Sequence, residues 1–149
     1  TLTNASCGSR LNATADTNAL LRLILTDESA KTDAMRDFLR QPESTRGVVE
    51  LQTTTVSEIV YVLGSPRCGY PREDIVRALE AVLALPLRVT DAAVVESAFE
   101  LFRDFHPDWD DCVVAAYALQ RTEGRLLSYD KRLGRIPGLQ RFEPPVIAS

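Results

Sequence analysis

The chain has 149 residues, of which 45% are hydrophobic and 26% charged, and its formal net charge is −4. This composition is typical of a globular protein, so we expect one domain over residues 10–149. No apolar run approaches the roughly 20 residues of a membrane helix, which excludes a membrane-spanning protein. The acidic balance gives little indication of a nucleic-acid binder that relies on overall positive charge.

Residues 1–9 are polar and small, and we expect them to be a disordered start or a remnant of an expression vector.

The three cysteines form no CxxC pair and are odd in number, which suits a reducing cytoplasm better than a disulfide framework. Cys112 lies within an apolar helical pattern, where a thiol is usually a small core residue.

Strands and helices alternate along the chain. The predicted elements are, in order, a strand at 11–15, helices at 16–25 and 31–40, a strand at 48–53, a helix from about Thr55 to before Gly64, a helix from Pro71, a strand at 87–90, a helix from Asp91 to about Phe105, a helix from Asp108 ended by Gly124, and a strand at 125–130. This alternation predicts an α/β fold with a central, mostly parallel sheet of about five strands flanked by helices.

Acidic residues stand where predicted strands end. Asp16 and Asp130 follow strands directly, Glu58 lies in the first predicted turn after another strand, and D-W-D-D at 108–111 opens an apolar helix. Ligands of an open parallel sheet bind at the carboxyl ends of its strands, so these carboxylates are expected to converge. Crowded carboxylates that stay charged indicate a divalent cation with oxygen ligands, namely Mg²⁺ or Mn²⁺.

Each of these acids also has a purely structural explanation. Asp16, Asp108 and Asp130 can cap the helices or turns that they precede. Glu58 completes a capping box with Thr55, three residues before it. Taken one at a time, capping explains each acid at least as well as a metal site, and only the joint pattern favours the metal.

Four segments of the sequence together resemble the PIN-domain family, in particular its VapC-like toxin ribonucleases. They are A-D-T-N-A-L-L, T-V-S-E-I-V-Y-V-L, D-W-D-D-C-V-V-A-A-Y-A and G-R-L-L-S-Y-D-K-R-L-G-R-I-P-G-L, which span nearly everything from Asn12 to Phe142. Matching them motif by motif implies four catalytic, metal-binding acids: Asp16, Glu58, Asp111 and Asp130. Their expected supporting neighbours are Thr17, Asn18 and Ser128, of which Asn18 and Ser128 would orient the carboxylates, and Asp108 as an extra acid.

Asp111 is preferred to Asp110 as the third acid because it shares a helix face with small residues that pack closely on a sheet. Asp110 lies about 100° round the helix from that face.

The resemblance implies an endoribonuclease that depends on Mg²⁺ or Mn²⁺ and cleaves structured RNA, either tRNA or rRNA. It implies the toxin of a type II toxin–antitoxin pair, with a cognate antitoxin as partner, a homodimer as the assembly and the cytoplasm as the location. The apolar faces of the helices at 16–25 and 31–40 offer a docking groove for the antitoxin, although they serve equally well as ordinary core. The side chains concerned are Leu21, Ile24, Leu25, Met35, Phe38 and Leu39.

Basic residues follow the last acid. Lys131, Arg132 and Arg135 are candidates for phosphate contact beside the metal, although a charged surface turn is the commoner reason for such residues. His106 is the one histidine, and without a recognisable nucleophile nearby it is expected to have a loop or packing role.

Two other functions are compatible with the sequence. One is a PIN-like module that acts by binding an antitoxin or larger assembly, with catalysis incidental; the intact set of four acids argues against it. The other is a Mg²⁺-dependent phosphohydrolase with an Asp nucleophile, which usually needs a second Asp two positions later, where this chain has Asn18.

Overall fold

The computed structural model describes residues 10–25, 29–105 and 108–148. The chain forms two compact units, within Thr1–Thr90 and Asp91–Ser149. Both contain helices and parallel strands, which confirms the predicted α/β class. None of the described helices is long and apolar enough to cross a membrane.

The first unit contains a three-stranded parallel sheet in the order β1-β2-β3. Its elements are β1 (Ala13–Thr14), α1 (Thr17–Ile24), α2 (Ala30–Arg40), α3 (Glu43–Arg46), β2 (Val49–Leu51), α4 (Thr53–Gly64), α5 (Arg72–Leu83) and β3 (Arg88–Val89). Among the described residues of this unit, the apolar side chains with no exposed surface come from α1, β2, α4 and α5, and they are Leu20, Leu51, Val56, Ile59, Leu63 and Leu79.

The second unit contains two long helices and a pair of parallel strands. Its elements are α6 (Ala92–Phe105), α7 (Trp109–Arg121), β4 (Arg125–Leu127), a 3₁₀ helix (Lys131–Arg135) and β5 (Gln140–Phe142). Trp109 is buried and meets Phe102 edge to face, with ring centroids 5.7 Å apart. Cys112 is fully buried, as expected of a core thiol.

The expected single sheet of about five strands is corrected by the structure. Three strands pair in one sheet and two in the other, and every strand is only two or three residues long. The segment at 125–130 does not lie in the larger sheet, because the described hydrogen bonds of β4 go to β5. The polar sequence Gln140–Phe142 gave no sign of a strand.

Backbone pairing fixes the position of Asp16 at the end of β1. The N–H of Ala13 donates to the carbonyl of Val48, and the N–H of Ala15 donates to that of Glu50, each at 2.9 Å. The ladder therefore continues to the residue before Asp16, beyond the two residues of β1 itself.

Gly47 permits a close approach between the two chain segments that lead into this ladder. Its φ is +93°, and a Cβ at this position would lie 2.2 Å from the carbonyl oxygen of Leu11. Any other residue would press against the segment that leads into β1.

Candidate active site

Asp16 begins α1 and caps it. Its Oδ1 accepts a hydrogen bond from the N–H of Ala19 at 2.9 Å, and the side chain remains exposed. The capping explanation is therefore correct for this residue, but it uses only one carboxylate oxygen. A cap and a metal ligand are compatible in the same side chain.

Glu58 lies in the second turn of its helix rather than the first. The helix begins at Thr53 after the N-cap Gln52, so Thr55 is already its third residue and the predicted capping box does not form. Glu58 Oε2 instead accepts a hydrogen bond from Thr17 Oγ1 at 2.8 Å. The predicted helix started near Thr55, where the apolar pattern begins, and it therefore omitted Thr53 and Thr54.

The hydrogen bond from Thr17 to Glu58 ties the start of α1 to α4, and Thr17 is 7% exposed. Thr17 follows Asp16 in the chain, so this bond joins Glu58 to the residue next to Asp16. Asp16 itself lines a different cavity, of about 310 Å³, and the cavity beside Thr17 is formed by other residues. Asn18 and Glu58 line a cavity of about 460 Å³ there. Within the described chain Asn18 makes no hydrogen bond to either carboxylate, so an orienting role for it stays a prediction.

In the second unit, three carboxylates open α7. Asp108 is the N-cap residue, although its side chain makes no capping hydrogen bond, and Asp110 and Asp111 lie in the first turn. Partial burial raises the pKa of Asp111, and the negative charges of Asp108, Asp130 and Asp110 raise it further, while Arg132 opposes them. The Asp111 carboxylate therefore lies in a negative potential, as a cation ligand does.

Asp130 begins the 3₁₀ helix, three residues after β4 ends at Leu127. The Arg132 guanidinium binds it with Nε at 3.1 Å from Oδ1 and Nη2 at 2.8 Å from Oδ2, and the Arg132 N–H donates to Oδ1 at 3.0 Å. These bonds hold the pKa of Asp130 below its usual range. Ser128 Oγ accepts from the N–H of Asp130 at 3.0 Å, so it positions the backbone of this acid rather than its carboxylate.

A cavity of about 450 Å³ lies beside these acids. Asp108, Asp111, Arg132 and Arg135 provide its charged wall, and its apolar wall is formed by Phe105, Leu133 and Ile136. Asp110 is exposed and does not line it. Asp130 does not line it either, and the choice of Asp111 over Asp110 as a ligand stays a prediction.

Asp91 and His106 were also given roles by the sequence. Asp91, predicted to cap a helix, accepts hydrogen bonds from Tyr117 Oη at 2.9 Å and from Arg121 Nη2 at 2.6 Å. His106 falls outside the described residues, so its expected packing role is untested. The two hydrogen bonds of Asp91 join residues 26 and 30 positions apart, and no local sequence pattern indicates them.

The predicted site residues of each unit carry carboxylate oxygens, which are donors of the kind that a divalent cation prefers. Among the described residues, no group of three or more His, Cys, Asp or Glu is placed to hold an ion. Mg²⁺ commonly takes only one or two carboxylates, with water and substrate phosphate completing its shell. The pairs Asp16 with Glu58 and Asp111 with Asp130 supply carboxylate oxygens of that kind.

The family model of the PIN domain matches residues 13–139. The chain belongs to the PIN-domain family. PIN domains are typically nucleases and generally depend on divalent metal ions. The matched range contains all four predicted acids, so the family resemblance of the sequence motifs is confirmed.

Among solved structures, two chains are similar to this PIN domain. VapBC2 of Rickettsia felis, bound to a DNA fragment from its promoter, is 15% identical, with 89% of this chain and 98% of that chain covered and a TM-score of 0.37. VapC20 of Mycobacterium tuberculosis, a toxin that cleaves the sarcin–ricin loop, is 19% identical, with 83% and 93% covered and a TM-score of 0.36. No curated protein sequence matches the chain.

Proposed function

We propose that this PIN-domain protein is a Mg²⁺- or Mn²⁺-dependent endoribonuclease and the toxin of a type II toxin–antitoxin pair, acting in the cytoplasm on structured RNA. The observation that carries the proposal is the crowding of carboxylates at the start of α7, where Asp108 and the partly buried Asp111 line one cavity. A fold keeps such an unfavourable arrangement where a cation or a reaction needs it.

The proposed ligands are Asp16 and Glu58 from the first unit and Asp111 and Asp130 from the second. When bound, the cation would supply an activated water and charge neutralisation at the scissile phosphate. Thr17 holds Glu58 through its hydroxyl, and Ser128 holds the backbone of Asp130. Both act by positioning these acids.

Arg135, on the wall of the Asp111 cavity, is the best placed of the three basic residues to meet an RNA phosphate. Lys131 is exposed and lines none of the described cavities. Arg132 is engaged with Asp130.

The test is cleavage of structured RNA by the purified protein in EDTA and after addition of Mn²⁺. We expect cleavage only with the metal, 5′-phosphate product ends, and a loss of at least about 100-fold for Asp111→Asn. The neighbouring Asp110→Asn, which removes the same charge outside the cavity, is the matched control and should retain most activity. Equal cleavage in EDTA and Mn²⁺ would refute the metal requirement.

The proposed partners are an antitoxin and a second copy of the chain. The toxin assignment rests on the four motifs of the sequence. In the expected docking face, Leu25 and Phe38 are 41% and 37% exposed, whereas Leu21 and Leu39 are buried. Only part of that face is thus available to a partner, and the rest is core.

Co-purification of the products of the native operon tests this partnership. We expect a second, small chain bound to the toxin, and Phe38→Ser should weaken its retention. A protein that purifies alone from its own operon would contradict the partnership but not the nuclease.

A further inference from the structure

Arg132 binds both carboxylate oxygens of Asp130. One nitrogen of its guanidinium lies 3.1 Å from Oδ1 and another 2.8 Å from Oδ2, in the fork geometry of a bidentate ion pair. The backbone N–H of the same residue donates to Oδ1. The oxygens that a metal ion would need are therefore held by a cation from two residues further along the chain.

The position of this guanidinium is also close to the other acids of the second unit. Arg132 and Asp111 line the same cavity, and the charges of Asp111 and Asp108 act on Arg132. Arg135 lines that cavity too, but within the described chain it forms no ion pair with an acid. Of the two arginines, only Arg132 takes the place of a bound cation.

The pair is built so that it can open. The side chain of Arg132 is 75% exposed and that of Asp130 is 31% exposed, so water reaches both groups. Exposed ion pairs contribute little net stability, because water solvates the separated charges nearly as well. A divalent ion concentrates more charge at the same oxygens and can therefore displace the guanidinium.

We propose that Arg132 is an internal counter-ion that holds Asp130 in the metal-free protein and leaves it when a divalent cation binds. The inference rests on the proposed function, since it assumes that Asp130 is a metal ligand. It assigns to Arg132 a role different from the direct phosphate contact that the sequence suggests. The residue would neutralise the metal-free acid cluster and compete with the metal for one ligand.

The first test is the affinity for Mn²⁺, measured by titration calorimetry at low ionic strength. We expect Arg132→Gln to bind Mn²⁺ at least about threefold more tightly than the wild type, because the competitor is gone. Arg135→Gln removes the same charge from the same cavity without touching Asp130, and it should change the affinity less. Arg132→Lys keeps the charge but not the fork, and it should lie between wild type and Arg132→Gln.

Each outcome decides the inference. Unchanged or weaker binding by Arg132→Gln, or an equal gain in Arg135→Gln, overturns it while leaving the proposed nuclease intact. Mn²⁺ binding by Arg132→Gln but not by the wild type supports the inference. Absence of Mn²⁺ binding in every protein overturns both the inference and the proposed metal site.

The second test uses the wild-type protein, so it does not depend on the folding of a variant. In a titration with Mg²⁺ followed by NMR, the Nε–H signal of Arg132 should move towards that of a solvent-exposed arginine as the ion pair breaks, while that of Arg135 should move less. Saturation with Mg²⁺ that leaves the Arg132 signal in place would overturn the inference.

Discussion

Asp111 and Asp130 lie in the same cluster, yet their environments shift their pKa values in opposite directions. Partial burial and neighbouring carboxylates raise the pKa of Asp111, whereas the bonds from Arg132 lower that of Asp130. A raised pKa means that the charged carboxylate is less stable in the folded chain than in the unfolded chain, and a lowered pKa means the reverse. The two acids therefore have opposite effects on stability at neutral pH.

Asp111→Asn should stabilise the metal-free protein slightly at neutral pH. The charged form of Asp111 costs stability once the pH has risen through its raised pKa, and an amide removes that cost. We expect a rise in Tm of no more than about 2 °C at pH 7 and none at pH 3, measured by thermal melts in EDTA. A fall in Tm would show that Asp111 acts only as a helix-dipole partner.

Asp130→Asn should destabilise the metal-free protein, and the effect should depend on pH. The pair with Arg132 contributes stability above the ordinary aspartate pKa of about 4, and this contribution is lost as the pH falls through the lowered pKa. Melts of wild type and Asp130→Asn should therefore differ at pH 7 and converge towards pH 2. A difference that stays constant over this range would contradict the ion pair.

Thr17 links two helices through one hydroxyl. Removing it in Thr17→Val breaks the hydrogen bond to Glu58 and should cost about 1 kcal/mol, or roughly 2 to 4 °C in Tm, with a parallel loss of cleavage. Thr17→Ser keeps the hydroxyl and is the matched control. Equal melts and equal activities for the two variants would mean that this bond does not position Glu58.

At the scale of elements, the approach of Gly47 to Leu11 determines where β1 runs. Gly47→Ala should destabilise the fold by about 2 kcal/mol or more in urea unfolding, because the new Cβ would overlap the Leu11 carbonyl in addition to the strain of a positive φ. Gly69, with φ of +63°, has no atom within 4 Å of an added Cβ. Gly69→Ala should thus show only the strain, about 1 kcal/mol, and equal losses in both variants would contradict the steric account.

The helices were largely predictable, since apolar periodicity places α1, α2 and α6 within two residues of their observed ends. The sheets were not, because strands of two or three residues carry little pattern and β5 carries a polar sequence. The same limit applies to the site. The sequence predicted four acids as the site, but the bond from Thr17 to Glu58 joins residues 41 apart and is visible only in the fold.

The Arg132 pair shows a different limit. Its two residues are only two positions apart, so the sequence already places them close together. Whether the Arg132 side chain turns towards Asp130 or towards solvent depends on the geometry of the 3₁₀ turn. The sequence pattern favoured phosphate contact or a surface turn. The structure instead shows an ion pair with a predicted metal ligand.

At the scale of the whole molecule, the PIN-domain match spans both compact units, and each unit contributes two of the four acids. The proposed function assigns all four acids to cation binding. In the described chain no group of three or more such donors is placed to hold an ion. Cation binding by these four acids is the central claim of the proposed function.

Calorimetric titration of Mn²⁺ into wild type, Asp16→Asn and Asp111→Asn tests that claim most directly, with Asp110→Asn as the matched control. The proposed site predicts that each of the first two substitutions, one in each unit, weakens Mn²⁺ binding by at least about tenfold, while the control binds like wild type. Wild-type affinity in either Asp16→Asn or Asp111→Asn would contradict it, because the substituted acid would then not be a ligand of the cation.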